Sequence, residues 1–291
     1  MRLFLLTALT MTAFASNSIL NRLGLIGGGM DPVSFASIRL VAGAVMLGAL
    51  CLVLRGGLSF GGRGRALGVF ALLLYIYAFS TAYTALDAGL GALILFGVTQ
   101  VTMFAGGLMA GEATPPRRWA GAAVSLCGLA WLLWPGPGSA VSLWHGGLMA
   151  VSGVGWGLYS LAGRGSEDAL TGTAANFLMA APVGVALGLA LPGGPVEIDT
   201  RGVVIAIVAG AITSGLGYAL WYTVLPRLLS SVAAVAQLTV PVIAMAGGMV
   251  VLGEALSLRF VLGSVLVLGG VALSVLRPRR GQDMEQADGS R

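Results

Sequence analysis

The chain has 291 residues, 57% of them hydrophobic and 9% charged, with a mean hydropathy of +0.93. Soluble domains carry about a quarter charged residues, so a soluble globular fold is excluded and a membrane protein is indicated. All sixteen basic residues are arginine, against eleven acids, and this excess reads as helix-end charge on one side of a bilayer with no role for nucleic acid.

Crossing the hydrocarbon takes about 20 apolar residues in a helix. Ten such windows follow one another at 3–23, 33–54, 66–84, 88–110, 118–134, 144–163, 170–191, 202–224, 230–252 and 257–276. Lipid leaves only helices or a closed barrel, and these long, unalternating runs lack the two-residue period of barrel strands. The expected fold is an all-α membrane protein. The opening "MRLFLLTALTMTAFAS" also has the look of a signal peptide, a reading that the repeat below disfavours. From Arg277 the sequence "RPRRGQDMEQADGSR" is polar and reads as a short disordered cytoplasmic tail, 277–291.

Placing the N-terminus in the cytoplasm puts twelve arginines on the inner side (2, 55, 63, 65, 117, 118, 164, 227, 277, 279, 280 and 291) and three, Arg22, Arg201 and Arg259, on the outer. Cytoplasmic loops carry the excess of arginine, so both termini are expected inside a bacterial-type inner (plasma) membrane. Arg39 alone lies well within a span. It would meet a substrate carboxylate, or else bond backbone carbonyls or reach an interface.

"GGLMAGEATPPRRWAG" and "GGMVVLGEALSLRFVLG" place Glu112 and Glu254 after apolar runs, 142 residues apart. The same offset aligns Arg22 with Arg164, Leu86 with Leu228, Gly106 with Gly248, Gly121 with Gly263 and Gly128 with Gly270. An internal duplication follows, with repeats over 1–134 and 143–276. Five helices per half is an odd number, so the second half enters the membrane upside down, giving two inverted five-helix repeats of the kind secondary transporters use. The first helix then has an internal twin in the sixth, which argues against its removal as a signal peptide. Gly111 and Gly253 are suited to the left-handed conformation that ends a helix. Each Glu is then expected at the N-terminus of the helix that follows, with Thr114 as a cap, Pro115 at the first helical position and Ser257 in the matching part.

Aromatic residues concentrate on particular faces. Tyr75, Phe79 and Tyr83 share one side of the third helix, and Tyr218, Trp221 and Tyr222 one side of the eighth. The 142-residue shift superposes Phe79 on Trp221, Phe14 on Trp156 and Asn17 on Tyr159. Phenols at membrane depth need partners that lipid does not supply. Helices 1, 3, 6 and 8 are therefore expected to wall a cavity with Asn17 as a polar handle, the alternative being plain helix packing. Trp119, Trp131, Trp134 and Trp144, near helix ends, read as interfacial belts. Gln100 and Gln237 are either interhelical bonds or substrate contacts. Gly91, Gly97 and Pro241 either loosen helices 4 and 9 or allow close packing.

Ten helices in two halves, each closing with "GE" and a Gly-rich last helix ("GAAVSLCGLAWLL", "GSVLVLGGVALSVL"), resemble the drug/metabolite transporter superfamily and its EamA-type members. The likeness covers almost the whole chain, to about residue 276. The first copy departs from the pattern, with Thr99 where the second has Pro241. Within the superfamily the aromatic lining looks most like the amino-acid exporter branch that includes the YddG-type exporters. The resemblance implies a secondary transporter of small neutral or zwitterionic metabolites, foremost amino acids including aromatic ones, or else other small metabolites or drugs.

The absences point the same way. One arginine at depth is too little for sugar phosphates, which want several cations. Buried carboxylates for cation export or a proton relay are missing, Asp87 coming closest. A lone His145, with Cys51 and Cys127 each inside an apolar window, suggests no metal or disulfide framework, so no enzyme and no cofactor is expected. The partners expected are a small-molecule solute and membrane lipids, with oligomeric state left open by "GLMAG" and "GVGWG".

Overall fold

The computed structural model describes residues 1–26, 30–62, 64–111, 115–134, 142–163, 168–190, 199–224, 227–228 and 236–275. Among them run α1 (Arg2–Leu25), α2 (Pro32–Arg55), α3 (Arg65–Ala82), α4 (Ala88–Met109), α5 (Pro116–Leu133), α6 (Leu143–Ala162) and α7 (Ala169–Ala190). Then come α8, in three unbroken segments (Thr200–Val208, Ala209–Leu216 and Gly217–Val224), α9 (Thr239–Leu252) and α10 (Leu258–Val275). No strand occurs among the described residues. Among the described residues six stretches are long and apolar enough to cross a membrane: α1, α2, α3, α4, α7 and Thr200–Trp221 of α8. The apolar helices α9 and α10 are shorter. Glu112, Thr114, Arg164 and the tail lie outside the described residues.

Helix ends follow local chemistry. Asp31 Oδ1 accepts the Val33 and Ser34 N–H groups at 2.9 Å each, with Pro32 opening α2. Two expectations shift here. The helix after the first "GE" starts one residue later than expected, with Pro116 inside and Pro115 extended before it (φ −65°, ψ 152°). Before the second "GE", α9 begins at Thr239, so Pro241 falls in its first turn. There the N–H that proline lacks would have no helical partner in any case. Gly253 ends α9 in the left-handed region (φ 68°), as its position before Glu254 implied.

The main packing pairs one of the first five helices with one of the last five: α5 against α10, α3 against α6, α2 against α7, α4 against α6, α1 against α9 and α2 against the middle of α8. In a membrane such contacts rest on close backbone approach. Where α5 crosses α10, a Cβ on Gly121 or on Gly270 would strike the other's carbonyl oxygen. Ser125 Oγ donates to the Val267 carbonyl at 2.9 Å in the same crossing. Trp119, Trp131, Trp134 and Trp144 are exposed on the outer surface, where a belt at the membrane interface would place them.

Within α8, Ala209–Leu216 widens into a π-helical turn. Gly210 leaves no room for a Cβ against the backbone carbonyl of Arg39 on α2, and the wide turn swings Thr213 and Ser214 toward α1 and α2. Such π-bulges are frequent at functional sites.

Candidate functional site

Aromatic side chains from α1, α3, α6 and α8 meet at the centre of the bundle. Trp156 sits amid them, its ring centroid 5.1 Å from Tyr75, 5.1 Å from Tyr218 and 6.3 Å from Phe14, with Tyr159 stacked at 5.6 Å. Phe14 makes edge contacts with Tyr218 and Trp221, both at 5.9 Å. Gly155 makes the meeting possible, since a Cβ there would lie 2.7 Å from the Tyr75 backbone nitrogen. Phe14, Tyr75, Trp156 and Tyr218, with Asn17, Ser18, Phe79, Leu95 and Phe96, line a pocket of about 20 Å³.

One polar network borders that pocket. Asn17 Nδ2 donates to Tyr75 OH at 3.2 Å, and Asn17 Oδ1 accepts from Thr213 Oγ1 at 3.1 Å. Asn21 Nδ2 donates to the Asn17 carbonyl at 2.9 Å, and Ser80 Oγ donates to Asn21 Oδ1 at 2.9 Å. Arg39, with no exposed surface, donates from Nη2 to Tyr75 OH at 3.0 Å and from Nε to Ser214 Oγ at 3.2 Å. Its guanidinium also lies 5.0 Å from the Phe79 ring centre and 5.4 Å from that of Tyr75, within reach of cation–π attraction.

Comparison with known proteins adds to this. Residues 144–276 match the EamA-like transporter family. An uncharacterized protein of Pseudomonas aeruginosa is 46% identical over 281 residues, covering 97% of this chain and 96% of that one. The chain belongs to the EamA-like transporter family. A solved crystal structure has a similar fold, with a TM-score of 0.67 at 19% identity, covering 94% of this chain and 97% of that chain. The protein is accordingly an integral membrane transporter of small molecules.

The central pocket gathers most of the residues singled out from sequence, though not all. Asn17, Tyr75, Phe79, Trp156 and Tyr218 line the pocket, and Tyr159, Trp221 and Arg39 pack against its walls. Tyr83 touches the Phe79 ring at 4.7 Å, but its hydroxyl is taken by the Ala88 carbonyl at 3.2 Å and its ring fills the space left by Gly91. It closes the α3–α4 turn and does not line the pocket. Gly91 and Gly97 thus serve close packing, the latter against Leu129 and Val267. Gln100 and Gln237 fall outside the lining. Thr99, in the place of Pro241, ties α4 to α6 through the Gly153 carbonyl at 3.1 Å. Sequence reading missed Thr213, Ser214, Ser80 and Asn21. The one available signal was the "TSG" interruption of an apolar helix.

Glu254 is a correction. Expected at the N-terminus of α10, its carboxylate instead reaches across to α4, where Oε1 accepts the Ala88 N–H at 2.7 Å. α4 has no capping bond from its own flanking residue, Asp87, so the partly buried carboxylate of Glu254, distant in sequence, supplies it. Burial pushes the Glu254 carboxyl above its ordinary range, against the pull of the Ala88 N–H. Ser257 takes the local role, accepting the Phe260 N–H at 3.1 Å. At the opposite end of the bundle Arg55 and Asp168 pair at 2.6 Å, and this bond holds the Asp168 carboxyl down to about 2.

Proposed function

We propose that this protein is an inner-membrane carrier, working as an exporter, for small neutral or zwitterionic metabolites, foremost amino acids including aromatic ones. The observation that carries the reading is the central pocket: aromatic walls from both halves of the chain, with Asn17 and Tyr75 as the polar end. Ligand sites of this kind are mostly apolar with a few placed polar groups. Its volume of about 20 Å³ holds roughly one water, so a solute enters only after the halves move apart. Alternating access by rocking one five-helix half against the other supplies that motion.

Several features support the inverted repeat. Exchanging each helix with its counterpart five places on turns α1–α9 into α4–α6, α1–α8 into α3–α6 and α2–α8 into α3–α7, and all six pairings occur. Ser125 and Val267, bonded across α5 and α10, are themselves 142 residues apart. The arginine bias favours both termini in the cytoplasm.

The test is uptake of labelled aromatic and small neutral amino acids into liposomes holding the purified protein, with and without a proton gradient. Saturable uptake indifferent to the gradient is expected, because among the described residues the polar network at the pocket holds no carboxylate. Stimulation by the gradient would point to a protonatable group, Glu254 first. Absence of uptake for every amino acid would sink the substrate assignment and leave other small metabolites or drugs.

A further inference from the structure

The polar end of the central pocket is rich in donors and short of acceptors. Tyr75 OH accepts from both Arg39 Nη2 (3.0 Å) and Asn17 Nδ2 (3.2 Å). A phenol has two lone pairs and one O–H. With both lone pairs engaged, the proton is left to point elsewhere, and Tyr75 lines the pocket. A hydroxyl that accepts from a cation is also polarised into a stronger donor. Tyr218 lines the same pocket, its buried hydroxyl beside that of Tyr75 and hydrogen-bonded to no other described residue. The nearby acceptor Asn17 Oδ1 is already occupied by Thr213 at 3.1 Å.

Behind these hydroxyls stands a charge without a counter-ion. The buried Nη1 of Arg39 meets no acceptor among the described residues. The ion pairs among those residues, Arg22 with Asp87 and Arg55 with Asp168, are elsewhere. A cation taken out of water and left with neutral partners is costly, and one retained at membrane depth marks a place where something negative comes to rest.

We infer that the transported solute carries a carboxylate, which takes the Tyr75 and Tyr218 hydroxyl protons with the Arg39 charge behind them, while its apolar part lies against Phe14, Phe79 and Trp156. The inference rests on the central pocket being the solute site and adds which end of the solute is read. An ammonium group meets no carboxylate here among the described residues, so the amine contributes less than the acid.

Three probes that share a phenyl ring separate the terms: phenylalanine, 3-phenylpropanoate, which lacks the amine, and 2-phenylethylamine, which lacks the carboxylate. Calorimetric titration of the purified protein is expected to show binding of the first two and at least about tenfold weaker binding of the third. Tyr75→Phe keeps the ring and removes the donor. It is expected to weaken both carboxylates about tenfold and leave 2-phenylethylamine unchanged. Arg39→Gln is expected to abolish carboxylate binding and Arg39→Lys to restore part of it. Should Arg39→Gln fail to fold, Tyr75→Phe still decides. Equal binding of 2-phenylethylamine and phenylalanine, or carboxylate affinity untouched by Tyr75→Phe, overturns the inference. If labelled phenylalanine is nevertheless transported, the amino-acid reading survives that result. Binding of 3-phenylpropanoate with phenylalanine excluded supports the carboxylate and sinks the amino-acid reading. Failure of all three to bind overturns both.

Discussion

Arg22 and Arg39 are both drawn away from water, and they are met in different ways. Arg22, near the end of α1 with 14% of its side chain exposed, donates from Nη1 to the carbonyls of Tyr83 and Thr84 at 3.0 and 2.9 Å, with the Asp87 carboxylate 4.0 Å from Nη2. Those carbonyls follow the last turn of α3, where backbone acceptors run out of helical partners. Arg22 therefore works as a staple between two helix ends. Arg39 meets two hydroxyls and two ring faces, satisfies no backbone group and faces no acid among the described residues. At Arg22 two backbone carbonyls and a carboxylate meet the charge, with Nε left over. At Arg39 no backbone group and no acid among the described residues does so, and the carboxylate inference rests on that difference.

Three substitutions test that contrast, in falling order of effect. Gly210→Leu drives a side chain into the Arg39 carbonyl and forces α8 away from α2. Overpacking of this kind costs about 3 kcal/mol, so a marked fall in the thermal midpoint of the solubilised protein is expected together with lost transport. An unchanged midpoint would mean that α8 does not press on α2 as described. Arg22→Met abandons the two carbonyls and costs about 2 kcal/mol, with the KM for solute unchanged. A raised KM at normal stability would erase the distinction between the two arginines. Ser214→Ala removes one of Arg39's two hydrogen-bond partners at a cost of about 1.5 kcal/mol. Here KM should rise as well, because the guanidinium is no longer held behind Tyr75, and stability loss alone would count against that positioning role.

The helices were legible because hydropathy at this strength leaves no other structure possible in lipid. Nine of the ten expected windows meet the described helices to within two residues at either end. In the remaining window, 230–252, the long helix runs from Thr239 after a short helical turn at 236–237, and 229–235 lie outside the description. The π-helical turn was not legible. "AGAITSGL" reads as ordinary helix, and the close fit of Gly210 against Arg39 is a contact between residues 171 positions apart. The site divides in the same way. Large aromatics at helical spacing announce a shared face, so Tyr75, Phe79, Trp156 and Tyr218 could be found. Small hydroxyls such as Thr213 and Ser214 satisfy their own helix as often as a neighbour, and Thr213 does both, bonding Ala209 O at 2.8 Å as well as Asn17. Glu254 failed from sequence for a related reason. Local capping logic names the next helix, whereas packing brought a different N-terminus within 2.7 Å.

Glu254 also offers the smallest and most selective test. It is the acidic counterpart of the two arginines, with Oε1 bonded to the Ala88 N–H and Oε2 buried without a partner among the described residues. Burial raises its carboxyl, the nearby Asp87 adds to the rise, and Ala88 and Arg22 oppose it. A carboxyl raised in the folded state binds its proton more tightly than the unfolded chain does. Its contribution to stability is therefore fullest below the ordinary carboxylate range and is lost as pH climbs through the folded value. Glu254→Gln keeps an oxygen for the Ala88 N–H and removes the charge. The variant should lose the decline of thermal midpoint over that window, and at neutral pH it should equal or exceed the parent by up to about 1 kcal/mol. A decline that persists in the variant would assign the titration to another group. Loss of transport at unchanged stability would show instead that the carboxylate, and not merely its hydrogen bond, is needed where α9 meets α4, making this contact a moving part of the cycle.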